Sequence, residues 1–532
     1  RRKIAFIAKS SLVVGAVTAT AYFWPEIRFV GSTIARTSRT AWTLARCTLD
    51  YKLNYPFENR LEKEYDDLTE DELIQVQEKR ASVHQRAADR VLGLFQRNGG
   101  IYIKLGQHMA ALEHILPLEY SKTLSILQNQ APTSSLDDVA AVIREDLGGR
   151  AIEEVFSEFD TVPLGAASLA QVHRAKLKEN DQEVAVKVQH HRLQAHVDMD
   201  LVTVSAAVKI IRRIFPQFEF NWLADEMKTN LPKELDFTAE GHNSERLVHN
   251  LNRTWPSNCP VYIPKVFWNY SSKRILVMEY CAGSKITDLN WMKQNKVDPR
   301  KVSRDLTSLY AQMIFLHGFV HCDPHPGNIF LQFDRHSPNK YKIVLLDHGL
   351  YKEFPNSFRL SYAKLWKALI DGNESSIRKY SQDLGGGAAY KLFSVVLTHR
   401  SWESMISARD WDRPRNPIDV VKFRDRATEY LPIVADLLSK LPRPLLLLLK
   451  TNDLLRAIDR TLHLDNPKAP SDTFLIMGKY CVFAINEDRW RSAQKNPVSE
   501  ILVILRNLLS SISMLWKSIC FDIYRVILQI KS

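Results

Sequence analysis

His321-Cys322-Asp323-Pro324-His325-Pro326-Gly327-Asn328, followed after a short apolar run by Asp347-His348-Gly349, is the part of the sequence whose reading decides the fold. Phosphoryl transfer needs a carboxylate beside the nucleophile and oxygen ligands for a metal ion that bridges phosphates. An Asp with an Asn five residues later on one loop, then a second Asp behind a buried strand, supplies that set. Asp323, Asn328 and Asp347 have this order, and Ile343-Val344-Leu345-Leu346 supplies the strand. A polar loop with an unrelated acidic turn is the plain alternative, and the joint spacing speaks against it.

Upstream, Val184-Ala185-Val186-Lys187 places a lysine in an alternating strand, where it can reach α/β-phosphates. Alone it is weak, since many strands carry a solvated lysine. A partner glutamate on a helix is expected, with Glu234 and Glu240 as candidates. Both come late, so a helical insertion near 195–230 must separate strand and partner. Met278-Glu279-Tyr280 ends a strand where the chain crosses between lobes and where backbone meets adenine. No ordinary glycine-rich loop occurs. In its place stands Pro163-Leu164-Gly165-Ala166-Ala167-Ser168-Leu169, which should be stiffer because alanine lacks glycine's freedom at positive φ.

Around these motifs the pattern changes along the chain. Residues 61–150 read helical, broken at Asn98-Gly99-Gly100. Short strands are expected at 170–175, 184–188, 261–263, 266–268, 275–278 and 343–346, with helices at 195–215 and 300–318 and almost throughout after 355. A small β-rich lobe before a larger helical lobe is the layout of a kinase. The expected fold is α+β: a bilobal, atypical protein-kinase-like fold with an N-terminal helical extension and a largely helical C-lobe, preceded by a transmembrane helix. Expected boundaries are 1–27 for the anchor, 28–60 for a basic connector, 61–150 for the helical extension, 151–282 for the N-lobe, 283–480 for the C-lobe and 481–532 for C-terminal helices.

The anchor rests on Ile4 to Trp24, which holds one charge, Lys9, and ends in Tyr22-Phe23-Trp24. Both flanks are basic, so orientation stays open. The apolar stretch from Glu500 to Ile530 is expected to pack on a domain, with a membrane surface as the other reading. The 532 residues carry 72 Lys plus Arg against 60 Asp plus Glu, a net +12. This suits anionic lipid or nucleotide. No zinc knuckle or RNA-binding signature is present, so no nucleic-acid partner is expected. Six scattered cysteines read as reduced structural thiols.

Taken together the motifs resemble the UbiB (AarF-domain-containing) family of atypical kinases. Lys104-Leu105-Gly106-Gln107 is similar to its KxGQ motif, Glu234-Leu235-Asp236 to its ExD motif, Gly165-Ala166-Ala167-Ser168 to its alanine-rich loop, and 321–328 to HxDxHPGN. The resemblance implies ATP and Mg2+ as cofactors. Gly165 to Ser168, Lys187, Glu240, Glu279 and Tyr280 would bind nucleotide. Asn328 and Asp347 would hold the metal, and Asp323 would orient the acceptor. Lys104 would face Glu234, over the place where a protein kinase receives peptide. It further implies coenzyme Q or lipid homeostasis at the mitochondrial inner membrane, with membrane lipids or quinone as partners; it names no protein partner. Three departures stand out. Gly165 replaces the usual Ala, making the loop less restrictive. Cys322 replaces the arginine of HRD, removing a phospho-loop switch. His348 replaces the Phe of DFG, altering packing beneath the metal site. An ATPase is the leading expectation. A small-molecule or lipid phosphotransferase and a catalytically silent scaffold are the alternatives.

Overall fold

The computed structural model describes residues 29–56, 69–110, 116–128, 133–191, 193–214, 227–228, 231–387, 390–398, 402, 405, 441–463, 473–493, 503–504, 507–513 and 515–516. The chain divides into two compact units, 1–237 with 267–277, and 238–266 with 278–532.

The first unit is built on a five-stranded sheet. Its strands are β1 (Phe156–Phe159), β2 (Gly165–Ala166), β3 (Ala170–Leu177), β4 (Glu183–Gln189) and β6 (Ile275–Glu279), in the order β1-β3-β4-β6 with β2 on β3. β3 and β4 pair antiparallel through a turn in which Asp181 takes φ 52°. Strand alternation puts Val184, Val186 and Val188 into the core and leaves Ala185 and Lys187 on the other face. Those valines meet Val139, Val142 and Ile143 of the Leu136–Asp146 helix. Each such buried aliphatic contributes about 1.5–3 kcal/mol.

A second core in this unit is largely helical. The 29–54 helix (α1), α2 (Glu70–Asn98), α3 (Ile101–Ala110) and α4 (Leu118–Leu124) precede the sheet, and α5 (Leu193–Ile214) follows β4. A Thr69–Glu72 capping box starts α2, and Gly99 at φ 64° stops it. Leu94, Phe95, Ile103, Leu105, Leu124 and Leu127 pack with Leu193, Val197 and Leu201. α1 is where a connector was expected. Arg36 pairs with buried Asp200 of α5, and Arg86 and Arg90 of α2 converge on Asp50 at 2.8 and 2.5 Å. The basic residues that suggested a solvated connector are thus partly used as ion-pair partners that fasten a helix.

In the second unit, α6 (Phe237–Thr254) leads into a four-stranded sheet ordered β5-β10-β9-β7, with β5 Val261–Tyr262, β7 Ser284–Lys285, β9 Ile329–Phe333 and β10 Tyr341–Leu345. β8 (Phe319–His321) pairs separately with β11 (Tyr351–Glu353). α7 (Pro299–Ala311) begins at an Asp298 cap and continues as one π-helical turn, Gln312–His317, to Gly318 at φ 62°. α8 (Asn356–Asp371), α9 (Arg443–Leu462) and α10 (Thr473–Ala493) surround one large core. The strand expected at 266–268 is instead a single bridge, Val266 to Met278, followed by a 3₁₀ turn at Trp268–Tyr270.

Among the described residues no helix is long and apolar enough to cross a membrane. The expected anchor, Ile4 to Trp24, lies outside the described residues. Most of the apolar stretch from Glu500 to Ile530 also lies outside the described residues. Ile504, Leu508, Ile512 and Trp516, each four residues apart, are exposed, while Asn507 on the polar side bonds Asn486 of α10.

Candidate functional site

In the first unit, sheet register brings the loop and the lysine into line. Gly165 pairs with Val172, and Val172 pairs with Lys187, so the three lie abreast across adjacent strands. The Lys187 ammonium lies 5.0 Å from the Phe237 ring centroid. The loop is tied at its tip. Ala167 N–H donates to Ala170 O at 2.7 Å, Ser168 is buried, and His190 Nε2 lies 3.0 Å from Ala167 O. His190 Nδ1 in turn meets Ser134 Oγ at 2.7 Å, and burial lowers the pKa of this imidazole. Sequence reasoning missed His190. Its only signal is its place three residues after Lys187, at the end of the same strand. Gly165 sits at an open position, with nothing within 4 Å of an added Cβ and no positive φ, so glycine's freedom is unused there.

The KLGQ motif divides its labour. Lys104 Nζ lies 2.7 Å from Glu234 Oε2, both side chains mostly shielded. Gly106 is a packing position, where an added Cβ would come 2.3 Å from Leu127 and 2.8 Å from Phe95. Gln107 Nε2 donates to Leu127 O at 2.9 Å, fastening α3 to the following turn. Of the motif's polar residues, Lys104 is thus the one that meets the ExD glutamate.

The second unit holds the carboxylates. Asp323 opens a tight loop in which His325 N–H donates to Asp323 O at 2.7 Å and Asn328 N–H to His325 O at 2.8 Å. Asn328 Nδ2 reaches Asp323 O at 3.4 Å, and Leu346 N–H donates to Asn328 O at 3.0 Å. That last bond joins the loop to the strand end carrying Asp347, whose Oδ1 accepts from Gly349 N–H at 2.9 Å. Asn328 and Asp347 offer hard oxygen donors, which suit a cation that keeps waters and substrate phosphates as further ligands. No group of three or more His, Cys, Asp or Glu poised around a metal occurs among the described residues. The donors fit a metal that arrives with its phosphates, rather than one held in an all-protein cage.

Beneath the loop lies a layer of rings. Buried His321 meets Tyr310 hydroxyl at 2.8 Å, and burial holds its imidazole below the ordinary pKa despite Asp323 and Asp347. His348 Nδ1 lies 2.9 Å from Tyr351 hydroxyl, and its Nε2 3.2 Å from Leu345 O. Glu240, 4 % exposed, accepts His348 N–H at 3.3 Å. Burial pushes the Cys322 thiol up to about 12. Glu279 accepts the Tyr262 hydroxyl at 2.5 Å, and its N–H donates to Lys265 O at 2.9 Å, with Tyr280 following it. Lys187 belongs to the first unit and Glu240 to the second.

Residues 126–381 match the ABC1 atypical kinase-like domain. The chain is 45 % identical over 462 residues to AarF domain-containing protein kinase 1 of Xenopus laevis, spanning 86 % of this chain and 84 % of that one. It is 38 % identical over 483 residues to AarF domain-containing kinase 1 of Drosophila melanogaster, spanning 89 % and 87 %. Among solved structures it is similar to Rv3197 of Mycobacterium tuberculosis in its erythromycin complex, at 20 % identity and TM-score 0.45, over 76 % of this chain and 100 % of that one. On the domain match the fold is kinase-like, mixed helix and sheet and rich in helix, and such a domain implies an ATP site with a metal ion. From its domain and its relatives alike, the chain belongs to the UbiB, or AarF-domain (ABC1), family of atypical kinase-like proteins.

Proposed function

We propose that the protein binds Mg2+-ATP and hydrolyses it, coupling turnover to the handling of membrane lipid or quinone, as an anchored protein of the mitochondrial inner membrane. The first unit acts in the role of a kinase small lobe and the second in that of the large lobe. Within the first unit, Lys187 serves the α/β-phosphates and the 165–168 loop covers them; within the second, Glu240 supplies a buried carboxylate. Backbone at Glu279 and Tyr280 receives adenine. Asn328 and Asp347 would hold the metal, which would supply charge neutralisation to the phosphates. Asp323 takes up the proton of the attacking oxygen.

The observation that carries this reading is the Leu346–Asn328 hydrogen bond, which keeps both metal-ligand candidates and Asp323 on one connected framework. The membrane reading draws on exposed apolar faces within each unit. Trp42, Leu49 and Leu53 share one face of α1, and the C-terminal stripe adds Trp516. A Lys104 occupied by Glu234 favours an ATPase gated at the KLGQ helices over a kinase with an open peptide platform.

The test is phosphate release and nucleotide-dependent thermal shift on the full chain, with and without Mg2+ and with anionic phospholipid vesicles containing ubiquinone. Metal-dependent stabilisation that Asp347→Asn abolishes, and turnover stimulated by vesicles and altered by Lys104→Ala, are expected. Equal stabilisation of wild type and Asp347→Asn would remove the metal assignment. Turnover indifferent to both vesicles and Lys104→Ala would remove the gating role.

A further inference from the structure

We propose that Lys450 is a catalytic residue: the cation that acts beside Asp323 on the terminal phosphate of ATP. This rests on the ATP-binding reading above and assigns a residue that none of the motifs contains.

The loop from His321 to Asn328 carries no Lys or Arg, and Cys322 stands where HRD kinases have arginine. The loop therefore brings a carboxylate to the transferring group with no permanent cation of its own. A cation arrives from elsewhere. Lys450 Nζ lies 3.5 Å from Asp323 Oδ1, across 127 residues of sequence.

Its place is fixed by α9. Thr451 is fully buried, donates to Leu447 O at 2.8 Å and lies 3.4 Å from Cys322 O. Leu448 and Leu449 are buried on one side of Lys450, and Asn452 on the other donates to Tyr362 hydroxyl at 3.0 Å. With its neighbours locked inward, Lys450 is the residue of this turn that projects over the catalytic loop.

Stability does not account for the contact. The two side chains are 44 % and 38 % exposed, and such pairs are worth about 0–1 kcal/mol. The separation also exceeds the roughly 2.7–2.9 Å of a charge-assisted hydrogen bond. The ammonium has three donors on a flexible stem, so it can keep Asp323 as neighbour and still turn to a phosphoryl oxygen.

The chemistry needs such a group. As the nucleophile's oxygen bonds to the γ-phosphorus, the bond from that phosphorus to the bridging oxygen of ADP breaks, and the nucleophile's proton passes to Asp323. Negative charge is spread over the equatorial oxygens throughout, next to the carboxylate of Asp323 itself. Lys450 stays protonated. It offsets that repulsion and donates to the oxygens, an interaction strongest in the transition state.

The experiment compares wild type, Lys450→Ala, Lys450→Arg and Lys352→Ala in the full chain. Lys352→Ala removes the same charge from an exposed strand position of the same unit. Thermal shifts are read with Mg2+-ADP and with a Mg2+-bound non-hydrolysable ATP analogue, and phosphate release is measured in parallel. Lys450→Ala is expected to keep the ADP shift and lose most of the extra shift given by the third phosphate. Its kcat should fall about 10²–10³-fold, as when one transition-state donor is removed. Lys450→Arg recovers part of both, and Lys352→Ala matches wild type. The proposal is overturned if Lys450→Ala keeps the analogue's shift and the turnover. It is equally overturned if ADP and analogue shifts fall together, since the lysine would then be acting on the fold. A wild type stabilised by neither nucleotide would instead bring down the ATP-binding reading, and this assignment with it.

Discussion

Restoring the ordinary kinase phenylalanine at position 348 should damage this protein. The imidazole of His348 is 3 % exposed and held at both nitrogens. A carbonyl only accepts, so Nε2 carries the proton donated to Leu345 O, and in the neutral ring Nδ1 accepts from Tyr351 hydroxyl. Phenylalanine keeps the stacking on Tyr351 but removes both bonds. Losing the bond to the carbonyl costs about 1 kcal/mol net, and leaving the Tyr351 hydroxyl without its partner costs about 1–3 kcal/mol. That hydroxyl is deep enough for burial to raise its pKa well above the ordinary tyrosine value. His348→Phe should therefore destabilise the second unit by about 2–4 kcal/mol. The double variant His348→Phe/Tyr351→Phe should cost only about 1 kcal/mol, because both members of one pair leave together. Equilibrium urea unfolding, with hydrogen exchange at the amides of 343–351, measures both. A His348→Phe protein as stable as wild type, or a double variant whose loss is the sum of the two singles, would refute the reasoning.

Two further perturbations follow from other parts of the chain. Gly106→Val should destabilise the first unit by about 1–3 kcal/mol, since its Cβ falls among buried Leu127 and Phe95, whereas Gly165→Ala should be neutral or stabilising by up to about 1 kcal/mol; thermal unfolding of the two variants side by side checks the contrast, and equal effects would count against the packing role. Burial, then Arg253 and Arg359, lowers His317 to about 4, below its unfolded value near 6.5, so its contribution is whole above about pH 6.5 and is lost as pH falls toward 4, by at most about 3 kcal/mol. Urea midpoints from pH 7 to 4.5 should fall more steeply for wild type than for His317→Gln, and parallel curves would show the imidazole to be uninvolved.

What the sequence made legible, and what it left out, follows from how far each feature depends on local chain geometry. Asp323, Asn328, Asp347 and the 341–345 strand announce themselves because loop and strand are neighbours, so their relation is a spacing. The strand 183–189 is equally local: alternation alone assigns Lys187 the face opposite Val184, Val186 and Val188. The Lys104–Glu234 pair is not local, and only the family's joint motif pattern suggested it. The connector reading of 28–60 failed for a related reason. Arg36, Arg39 and Arg46 look solvated until Asp200, 164 residues away, supplies Arg36 with a buried partner. The described part of the C-terminal stripe shows the opposite limit: helical spacing of Ile504, Leu508, Ile512 and Trp516 defines an apolar face but says nothing about what covers it. Lys450 is the extreme case. In sequence it is a lysine after five leucines, indistinguishable from the polar edge of any amphipathic helix. Its meaning comes from Thr451 docking on Cys322, which turns an ordinary helix position into the cation nearest Asp323 among the ion pairs of this unit. Short-range motifs thus mark the candidate residues here, while the contacts that join them to distant charges carry no local signature.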